Sequence, residues 1–244
     1  NINKSFSNQT ILNNISFKIN DGDAIAIIGK SGIGKSVLLK HLNGLIYPDS
    51  GHISVDGKII NKLKFFELEK MRSKISMVFQ FGALFDSMSV FENIEMPLEK
   101  MSLMNKEERA ARIYDVLKEV GMEGTHNKFP DELSGGMKKR VGIARAIAVK
   151  PKYILYDEPT TGLDPIMANS INKLISKLHT LESVTSIIVT HEMDTVFNVA
   201  NRVIMINDGE IRFNGSPDEL LSSDDEMVKQ FIRVNTHKKG KSYD

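Results

Sequence analysis

The feature that most limits how this chain can fold is a glycine-rich loop between a predicted strand and a predicted helix. Ala24–Ile28 is an apolar run of strand length, and Gly29–Ser36 follows it as the pattern G-x-x-x-x-G-K-S. The apolar residues after the loop repeat at helical spacing up to Leu42, and Asn43 with Gly44 ends the helix. A strand, a glycine loop and a helix in this order predict a phosphate-binding loop.

The rest of the chain alternates between strand-like and helix-like patterns, which predicts an α/β fold with a mostly parallel sheet. A hairpin turned by Asp56-Gly57 adds an antiparallel portion. Residues 81–96 have no clean period and are expected to be irregular. Further strands are predicted at 75–79, 153–156, 186–190 and 203–206, and helices at 105–121, 134–148 and 165–181. The predicted organisation is a core of residues 1–80 and 149–215, a helical lobe at 81–148, and a C-terminal helix with a polar tail at 216–244.

Composition excludes several classes of protein. The 244 residues include 32 Lys+Arg, 31 Asp+Glu and no Cys, so the net charge is +1. Without cysteine there is no disulfide framework, thiolate metal site or cysteine nucleophile, and a reducing compartment such as the cytosol is expected. The near-neutral charge gives no broad surface for nucleic acid. Apolar runs are short, so no membrane span is expected. The sequence starts at Asn1 rather than Met, which leaves the true N-terminus open.

The glycine loop has a defined chemistry. Its backbone N–H groups would converge on a phosphate at the helix N-terminus, where the macrodipole also favours an anion. Lys35 would add a charge for the β- and γ-phosphates, and the Ser36 hydroxyl would bind Mg²⁺. The alternative is a glycine turn that only joins strand to helix. The predicted nucleotide-binding residues are Gly29, Lys30, Ser31, Gly32, Ile33, Gly34, Lys35, Ser36 and Val37.

Two adjacent acids follow the predicted strand at 153–156. Such a strand end lies at the carboxyl edge of a parallel sheet, where ligands bind in open α/β folds. Asp157 would hold Mg²⁺, while Glu158 would orient and deprotonate an attacking water. The competing interpretation is a strand end that carries solvated acids.

Four more motifs accompany this pair: Leu-Ser-Gly-Gly-Met at 133–137, Thr-Gly-Leu-Asp at 161–164, Gln80 after a strand, and His191 after another strand. Together they resemble the ATP-binding subunits of ABC proteins, with every motif in the family's order from Phe6 to about Phe213. The resemblance implies ATP and Mg²⁺ as cofactors. It also implies a P-loop NTPase (RecA-like) core with an antiparallel β subdomain and an inserted α-helical subdomain.

The same resemblance implies several residue roles. Phe6 would stack on adenine, and Gln80 would sense the γ-phosphate, bind Mg²⁺ and link the site to the helical lobe. His191 would contact the γ-phosphate, and Asp164 would lie at a subunit interface. Phe6 could instead be an ordinary core residue, and His191 an ordinary histidine at a strand end.

The Leu-Ser-Gly-Gly-Met segment would form a second anion site. Ser134 is a good N-cap, and the glycines after it keep the helix amides uncovered. In the family this helix meets ATP bound to another copy, which implies a head-to-tail dimer with two composite sites. Whether the basic residues further along this helix form a solvated face or a partner contact stays open. The signature residues are Leu133, Ser134, Gly135, Gly136 and Met137, and the basic residues are Lys138, Lys139, Arg140 and Arg145.

Met137 narrows the resemblance, because the family usually has Gln there. Together with the sequences at 79–85 and 157–166, Met137 makes the chain resemble the ATPases of Mla/Mce-type lipid transport systems. That subfamily implies a membrane permease, an MCE-domain protein and a peripheral location on the cytoplasmic side of the inner or plasma membrane. Residues 81–96 would then accept a permease helix, or would simply pack within the helical lobe.

Other functions remain open at this point. The chain could serve an amino-acid or ion importer, or a cell-division-type ABC complex, although Met137 disfavours both. An ABC protein acting on DNA or ribosomes usually carries coiled-coil insertions, zinc-binding cysteines or two cassettes, none of which occurs here. A small-molecule kinase would not explain the Leu-Ser-Gly-Gly segment.

Overall fold

A computed structural model describes residues 1–7, 9–101 and 103–237. The chain divides into two compact units, one formed by Asn1–Arg72 with Thr185–Asp244 and the other by Ser73–Val184. The predicted polar tail at 238–244 lies outside the described residues, and the predicted subdomain boundaries at 80/81 and 148/149 stay a prediction. No helix in the described ranges is both long and apolar enough to cross a membrane.

The chain alternates between strands and helices, as predicted. The strands are β1 (Ile2–Phe6), β2 (Gln9–Ile15), β3 (Ala24–Ile28), β4 (Ser54–Val55), β5 (Lys58–Ile59), β6 (Ile75–Val78), β7 (Tyr153–Asp157), β8 (Thr185–Thr190), β9 (Arg202–Asn207) and β10 (Glu210–Gly215). The helices are α1 (Lys35–Leu42), α2 (Phe65–Arg72), α3 (Val90–Met101), α4 (Lys106–Glu119), α5 (Gly135–Ala148), α6 (Pro165–Glu182), α7 (Met193–Val199), α8 (Pro217–Leu221) and α9 (Glu226–His237). Short 3-10 turns lie at Ile60–Lys62 and Pro130–Glu132.

The first unit is built on a sheet whose centre is β3. This strand is parallel to β8 on one side and to β9 on the other, and β10 is antiparallel to β9. All residues of β3 and β8 are buried. Continuous burial explains why both strands are unbroken apolar or small-residue runs rather than alternating patterns. The predicted strands at 24–28, 186–190 and 203–206 are therefore confirmed.

Helices of the first unit cover this sheet. Residues from α7, α8 and α9 form one buried cluster with β3 and β9, in which Met193, Leu220 and Phe231 represent the three helices. The β4–β5 hairpin turns at Asp56 and Gly57, which both have positive φ, as the Asp-Gly pair predicted. β1 and β2 form an antiparallel pair that the sequence analysis did not predict.

The second unit pairs β6 with β7 in parallel and places α5 against α3, α4 and α6. Asn105 and Glu108 form a reciprocal capping box at the start of α4. The guanidinium of Arg112 donates to the carbonyls of Ile147 and Ala148, the last residues of α5. A cation at this end satisfies carbonyls that the helix leaves unpaired and complements its macrodipole.

The expectation that residues 81–96 are irregular was wrong for their second half. α3 begins at Val90 and continues through Pro97. Its buried residues Val90, Ile94 and Leu98 are four positions apart and form one helical face. The pattern was hidden because Phe91 and Met96 lie off this face and because Pro97 lacks the N–H of a regular helical residue.

Asn93 on α3 holds the loop that precedes the helix. Its side chain is fully buried. Its Oδ1 accepts from Phe85 N at 2.8 Å, and its Nδ2 donates to the carbonyls of Phe85, Met88 and Ser89 at 3.0–3.1 Å. The amide therefore satisfies several backbone groups of the loop at once.

Replacing Asn93 with Leu is expected to lower the free energy of unfolding by about 3 kcal/mol. The leucine keeps the volume but leaves buried backbone groups without partners, and each such group costs about 1–3 kcal/mol. Denaturant unfolding followed by circular dichroism measures the loss. Asn127→Leu, at an exposed asparagine in the same unit, is the control. Equal stability of the two variants would contradict the role of Asn93.

Candidate functional site

The glycine loop of the first unit connects β3 to α1, as predicted. Two of its glycines are required by close approach. A Cβ on Gly29 would lie 2.5 Å from the carbonyl oxygen of Ile206, and one on Gly34 would lie 2.6 Å from the side chain of Ile11. Gly34 also has φ of 103°, in the region that favours glycine. Neighbouring strands thus fix the shape of this loop.

Lys35 begins α1 and points back into the loop. Its side chain is only 5% exposed. Its Nζ donates to the carbonyl oxygens of Gly29 at 2.9 Å and Lys30 at 3.1 Å. A buried ammonium requires such partners, because burial of an unpaired charge is costly. The loop therefore holds a positive charge among backbone amides at a helix N-terminus, which is the chemistry of an anion site.

Two other predicted residues also belong to the first unit. Phe6 ends β1 and is 45% exposed, which does not fit an ordinary core residue. The Nζ of Lys4 lies 5.2 Å from the centroid of its ring. His191 is partly buried and directly follows β8. The turn there is fixed by Thr190 Oγ1, which accepts from the backbone N–H of Glu192 at 3.0 Å.

The paired acids of the second unit lie at the end of β7. Asp157 is the last residue of the strand, and Glu158 follows it with a left-handed backbone, φ 50°. For a residue other than glycine this conformation costs about 1–2 kcal/mol. Thr161 holds the side chain, since its Oγ1 donates to Glu158 Oε2 at 2.9 Å. Strained residues held in this way concentrate at functional sites.

Lys139 and Arg140 of α5 do not lie on a solvated face. Lys139 is 4% exposed, and its Nζ donates to the carbonyls of Thr161 at 2.7 Å and Glu158 at 3.4 Å. Arg140 donates to the carbonyl of Val120 and to Ser170 Oγ. These side chains hold the second unit together from within. The sequence analysis missed this because three consecutive cations usually indicate an exposed face.

Arg145, further along α5, holds the segment that follows Gln80. Its two terminal nitrogens donate to the carbonyls of Gly82 and Ala83, both at 2.8 Å. Burial lowers the pKa of this guanidinium. Gln80 itself lies two residues beyond β6 and is partly exposed. α5 thus contacts both the segment after Gln80 and the segment after the paired acids.

The signature segment caps α5 as predicted, with Ser134 Oγ accepting from Met137 N at 3.3 Å. Its two glycines differ in their surroundings. A Cβ on Gly136 would clash with the methyl group of Met167 on α6, whereas one on Gly135 would meet only Leu163 at 3.9 Å. Gly136 is therefore needed for packing within the subunit, and Gly135 leaves the helix start open to a ligand.

Asp164 has a structural role inside the subunit besides its predicted place at an interface. Its Oδ1 accepts from the backbone N–H groups of Ile166 and Met167 at 3.0 Å, so it is the N-cap of α6. Pro165 occupies the first position of this helix, where its missing N–H does no harm. Asp164 is nevertheless exposed, and its predicted interface role stays a prediction.

The residues predicted to bind Mg²⁺ supply only oxygen. Ser36 offers a hydroxyl, Asp157 a carboxylate and Gln80 an amide oxygen. Hard oxygen ligands, with substrate phosphates completing the shell, suit Mg²⁺. The donor set of this chain therefore fits the ion.

A glycine loop with a buried lysine, a strand ending in paired acids and a capped Leu-Ser-Gly-Gly helix define an ATP-binding cassette. Residues 12–161 match the ABC transporter family, and the chain belongs to this family. It is accordingly an ATP-hydrolysing enzyme whose cofactors are ATP and Mg²⁺. The fold agrees: a dimeric post-hydrolysis structure of the ATP-binding cassette MJ0796, bound to ADP and phosphate, superposes with a TM-score of 0.81 at 34% identity. The match covers 88% of this chain and 95% of that one.

Relatives of this chain are named for different cargoes. The intermembrane phospholipid transport ATP-binding protein MlaF of Escherichia coli is 39% identical over 92% of this chain and 84% of its own length. The methionine import ATP-binding protein MetN of Carboxydothermus hydrogenoformans is 41% identical over 91% of this chain, which spans 66% of that protein's length. Family membership thus fixes the enzyme class but leaves the cargo unresolved.

Proposed function

We propose that this chain is the ATPase subunit of a lipid transporter, bound to a membrane permease on the cytoplasmic side of the inner or plasma membrane. The buried Lys35 ammonium inside the glycine loop carries the ATPase part of the proposal. The lipid part is supported by Met137 and by the similarity to MlaF along most of both chains.

In the proposed nucleotide site, the amides of residues 29–37 and the Lys35 ammonium bind the phosphates of ATP. The exposed ring of Phe6 stacks on adenine, as exposed aromatic faces do with bases. Ser36, Asp157 and Gln80 would hold Mg²⁺, which when bound would neutralise charge on the phosphates. His191 donates to the γ-phosphate.

Glu158 is the proposed general base. Its carboxylate would accept a proton from the water that attacks the γ-phosphorus, as the bond from that phosphorus to the β–γ bridging oxygen breaks and ADP leaves. Thr161 keeps the carboxylate oriented. Gln80 orients the water and contacts the γ-phosphate. It thereby links the γ-phosphate to the segment after Gln80, which Arg145 holds on α5. These roles agree with the strained backbone of Glu158, since such strain persists only where the surroundings enforce it.

The signature segment is proposed to act on ATP bound to a second copy of the chain. The open side of Gly135 and the capped start of α5 offer uncovered amides to a γ-phosphate. Two copies arranged head to tail then form two composite sites, with Asp164 at their interface. The dimeric structures of MJ0796 support this arrangement.

Replacing Ser134 with Arg is expected to spare ATP binding to each copy but to stop turnover, because the long side chain fills the place of the partner's phosphate. Phosphate release and nucleotide titration measure the two effects separately. Ser134→Ala gives the cost of losing the helix cap alone, about 1 kcal/mol of stability.

A mixture of copies tests the composite site further. When Ser134→Arg chains are mixed with Lys35→Ala chains, the mixed dimer keeps one intact pairing of loop and signature. Turnover in the mixture is therefore expected to exceed that of either variant alone. A Ser134→Arg variant with wild-type turnover would contradict the proposal.

Residues of the loop before α3, together with Met96 on α3 itself, are proposed to receive a helix of the permease. Phe81 is 74% exposed, and Phe85 and Met96 are also exposed. Asn93 and Arg145 fix the backbone beneath them. Flexible methionine and aromatic side chains suit adaptable docking surfaces.

Import of a small solute such as an amino acid is the second candidate, and the 41% identity to the methionine import protein favours it. Affinity purification of the tagged chain from membranes, with identification of the co-purifying proteins, separates the two candidates. An MCE-domain protein beside the permease supports lipid transport. A periplasmic solute-binding protein would overturn it.

A further inference from the structure

The turn that follows β7 is held by a side chain from another part of the second unit. Glu158 has a left-handed backbone, and the turn closes with Thr161 N donating to the Glu158 carbonyl at 3.3 Å. The Nζ of Lys139 donates to the carbonyls at both ends of this turn, at 3.4 Å to Glu158 and 2.7 Å to Thr161. The lysine, which belongs to α5, therefore bridges the two ends of the turn.

The same turn controls the carboxylate. Thr161 presents its carbonyl to Lys139 and its hydroxyl to Glu158 Oε2 at 2.9 Å. A shift of the Thr161 backbone would move that hydroxyl and the carboxylate together. Lys139 thus acts on Glu158 in two ways, directly through the Glu158 carbonyl and indirectly through Thr161.

The origin of the lysine gives this contact its significance. Lys139 lies on α5, five residues beyond Ser134, which caps the same helix. Its side chain is 4% exposed and carries a charge into the interior of the unit. Burial of an ammonium group carries a desolvation penalty, and a neutral side chain of similar size would fill the same space without that penalty.

We propose that Lys139 is a positioning residue for Glu158: its ammonium holds the turn of residues 158–161 in the conformation that aims the carboxylate, and so ties the signature helix to the acid of the same copy. This inference rests on the proposed role of Glu158 as the base. It deepens that role, because the helix that meets the partner's ATP is thereby joined to the residue that acts on the copy's own ATP.

The test compares Lys139→Met, which keeps the stem and removes the donor, with Lys139→Gln, which keeps an N–H donor. In Lys139→Met, kcat is expected to fall by about 10- to 100-fold, the range for a misplaced reacting group. KM for ATP and nucleotide affinity stay within about twofold, because Lys139 is not proposed to touch the nucleotide. Lys139→Gln is expected to recover most of kcat. Lys138→Met, at the adjacent and less buried lysine, is the matched control.

Amide hydrogen exchange supplies a readout that does not depend on activity. Peptides covering residues 158–163 are expected to exchange faster in Lys139→Met than in the wild type or in Lys138→Met. Wild-type kcat in Lys139→Met, or a lower kcat with unchanged exchange in this peptide, would overturn the proposal.

A second pair of variants covers the case in which Lys139→Met does not fold. Thr161→Val removes the hydroxyl that holds the carboxylate, and Thr161→Ser retains it. A loss of kcat in the valine variant alone supports the proposed linkage, and equal activity of the pair contradicts it. Failure of the underlying role is recognised separately, because Glu158→Gln with normal turnover removes the base whatever Lys139 does.

Discussion

Glu158→Gln is expected to bind ATP like the wild-type protein and to hydrolyse it at least about 100 times more slowly. The amide cannot take the proton of the attacking water, and a positioned general base contributes about 10²–10⁴-fold to a rate. The amide oxygen can still accept the hydrogen bond from Thr161, so the local structure should survive. Phosphate release under saturating MgATP measures the loss.

The same variant should accumulate as an ATP-bound dimer, because we propose that the head-to-tail dimer opens only after hydrolysis. Size-exclusion chromatography with and without ATP detects this species. Glu123→Gln, at an exposed glutamate of the same unit, controls for the charge change. Near wild-type hydrolysis by Glu158→Gln would show that another group activates the water.

Lys35→Ala is expected to weaken ATP binding by about 10- to 100-fold. Hydrogen bonds to a charged group contribute about 1.5–3 kcal/mol, and each 1.4 kcal/mol is tenfold in affinity. The loss should be larger for ATP than for AMP, since the ammonium is proposed to bind the β- and γ-phosphates. Titration with fluorescent derivatives of ATP and AMP measures the two affinities.

Thermal unfolding separates the lost contact from a damaged loop. Lys35 also holds the carbonyls of Gly29 and Lys30, so some loss of stability without nucleotide is expected. The stabilisation that added ATP gives should nearly disappear, because it depends on ligand concentration relative to Kd. Lys40→Ala, at an exposed lysine of the same helix, is the control. Unchanged ATP affinity in Lys35→Ala would remove this residue from its assigned role.

Local chemistry explains which parts of the fold could be predicted. β3 and α1 have a continuous apolar run, a glycine loop and an Asn-Gly stop, and their bounds were predicted to the residue or nearly so. α2 was missed because Phe65 and Phe66 are exposed, which inverts the usual pattern. α3 was missed because Pro97 lies inside it. Long-range packing rather than propensity decides these elements.

The candidate site divides in a similar way. Residues proposed to bind the nucleotide or its Mg²⁺ are recognisable because the motif and its chemistry coincide, as in Lys35 and Ser36. Residues that act by positioning other residues are not recognisable in the same way. Burial of Lys139 depends on the neighbours of α5, and the left-handed backbone of Glu158 depends on contacts that no local pattern encodes. Asp164 illustrates both, because the Asp-Pro pair marks the start of α6 in the sequence, whereas its interface role was implied only by the family resemblance.

The glycine loop has one more consequence, for the thermodynamics of nucleotide exchange. Ile11 and Ile206 lie so close to Gly34 and Gly29 that no Cβ would fit at either glycine. Lys35 also donates a hydrogen bond across the loop, so contacts within the protein already restrict the loop's conformations. The loss of conformational entropy on binding is then small, because the loop is already ordered. More of the free energy of the phosphate contacts therefore contributes to affinity. Such pre-organisation predicts a fast, single-step association for ATP and ADP alike. Discrimination between them would fall to the groups that meet the γ-phosphate.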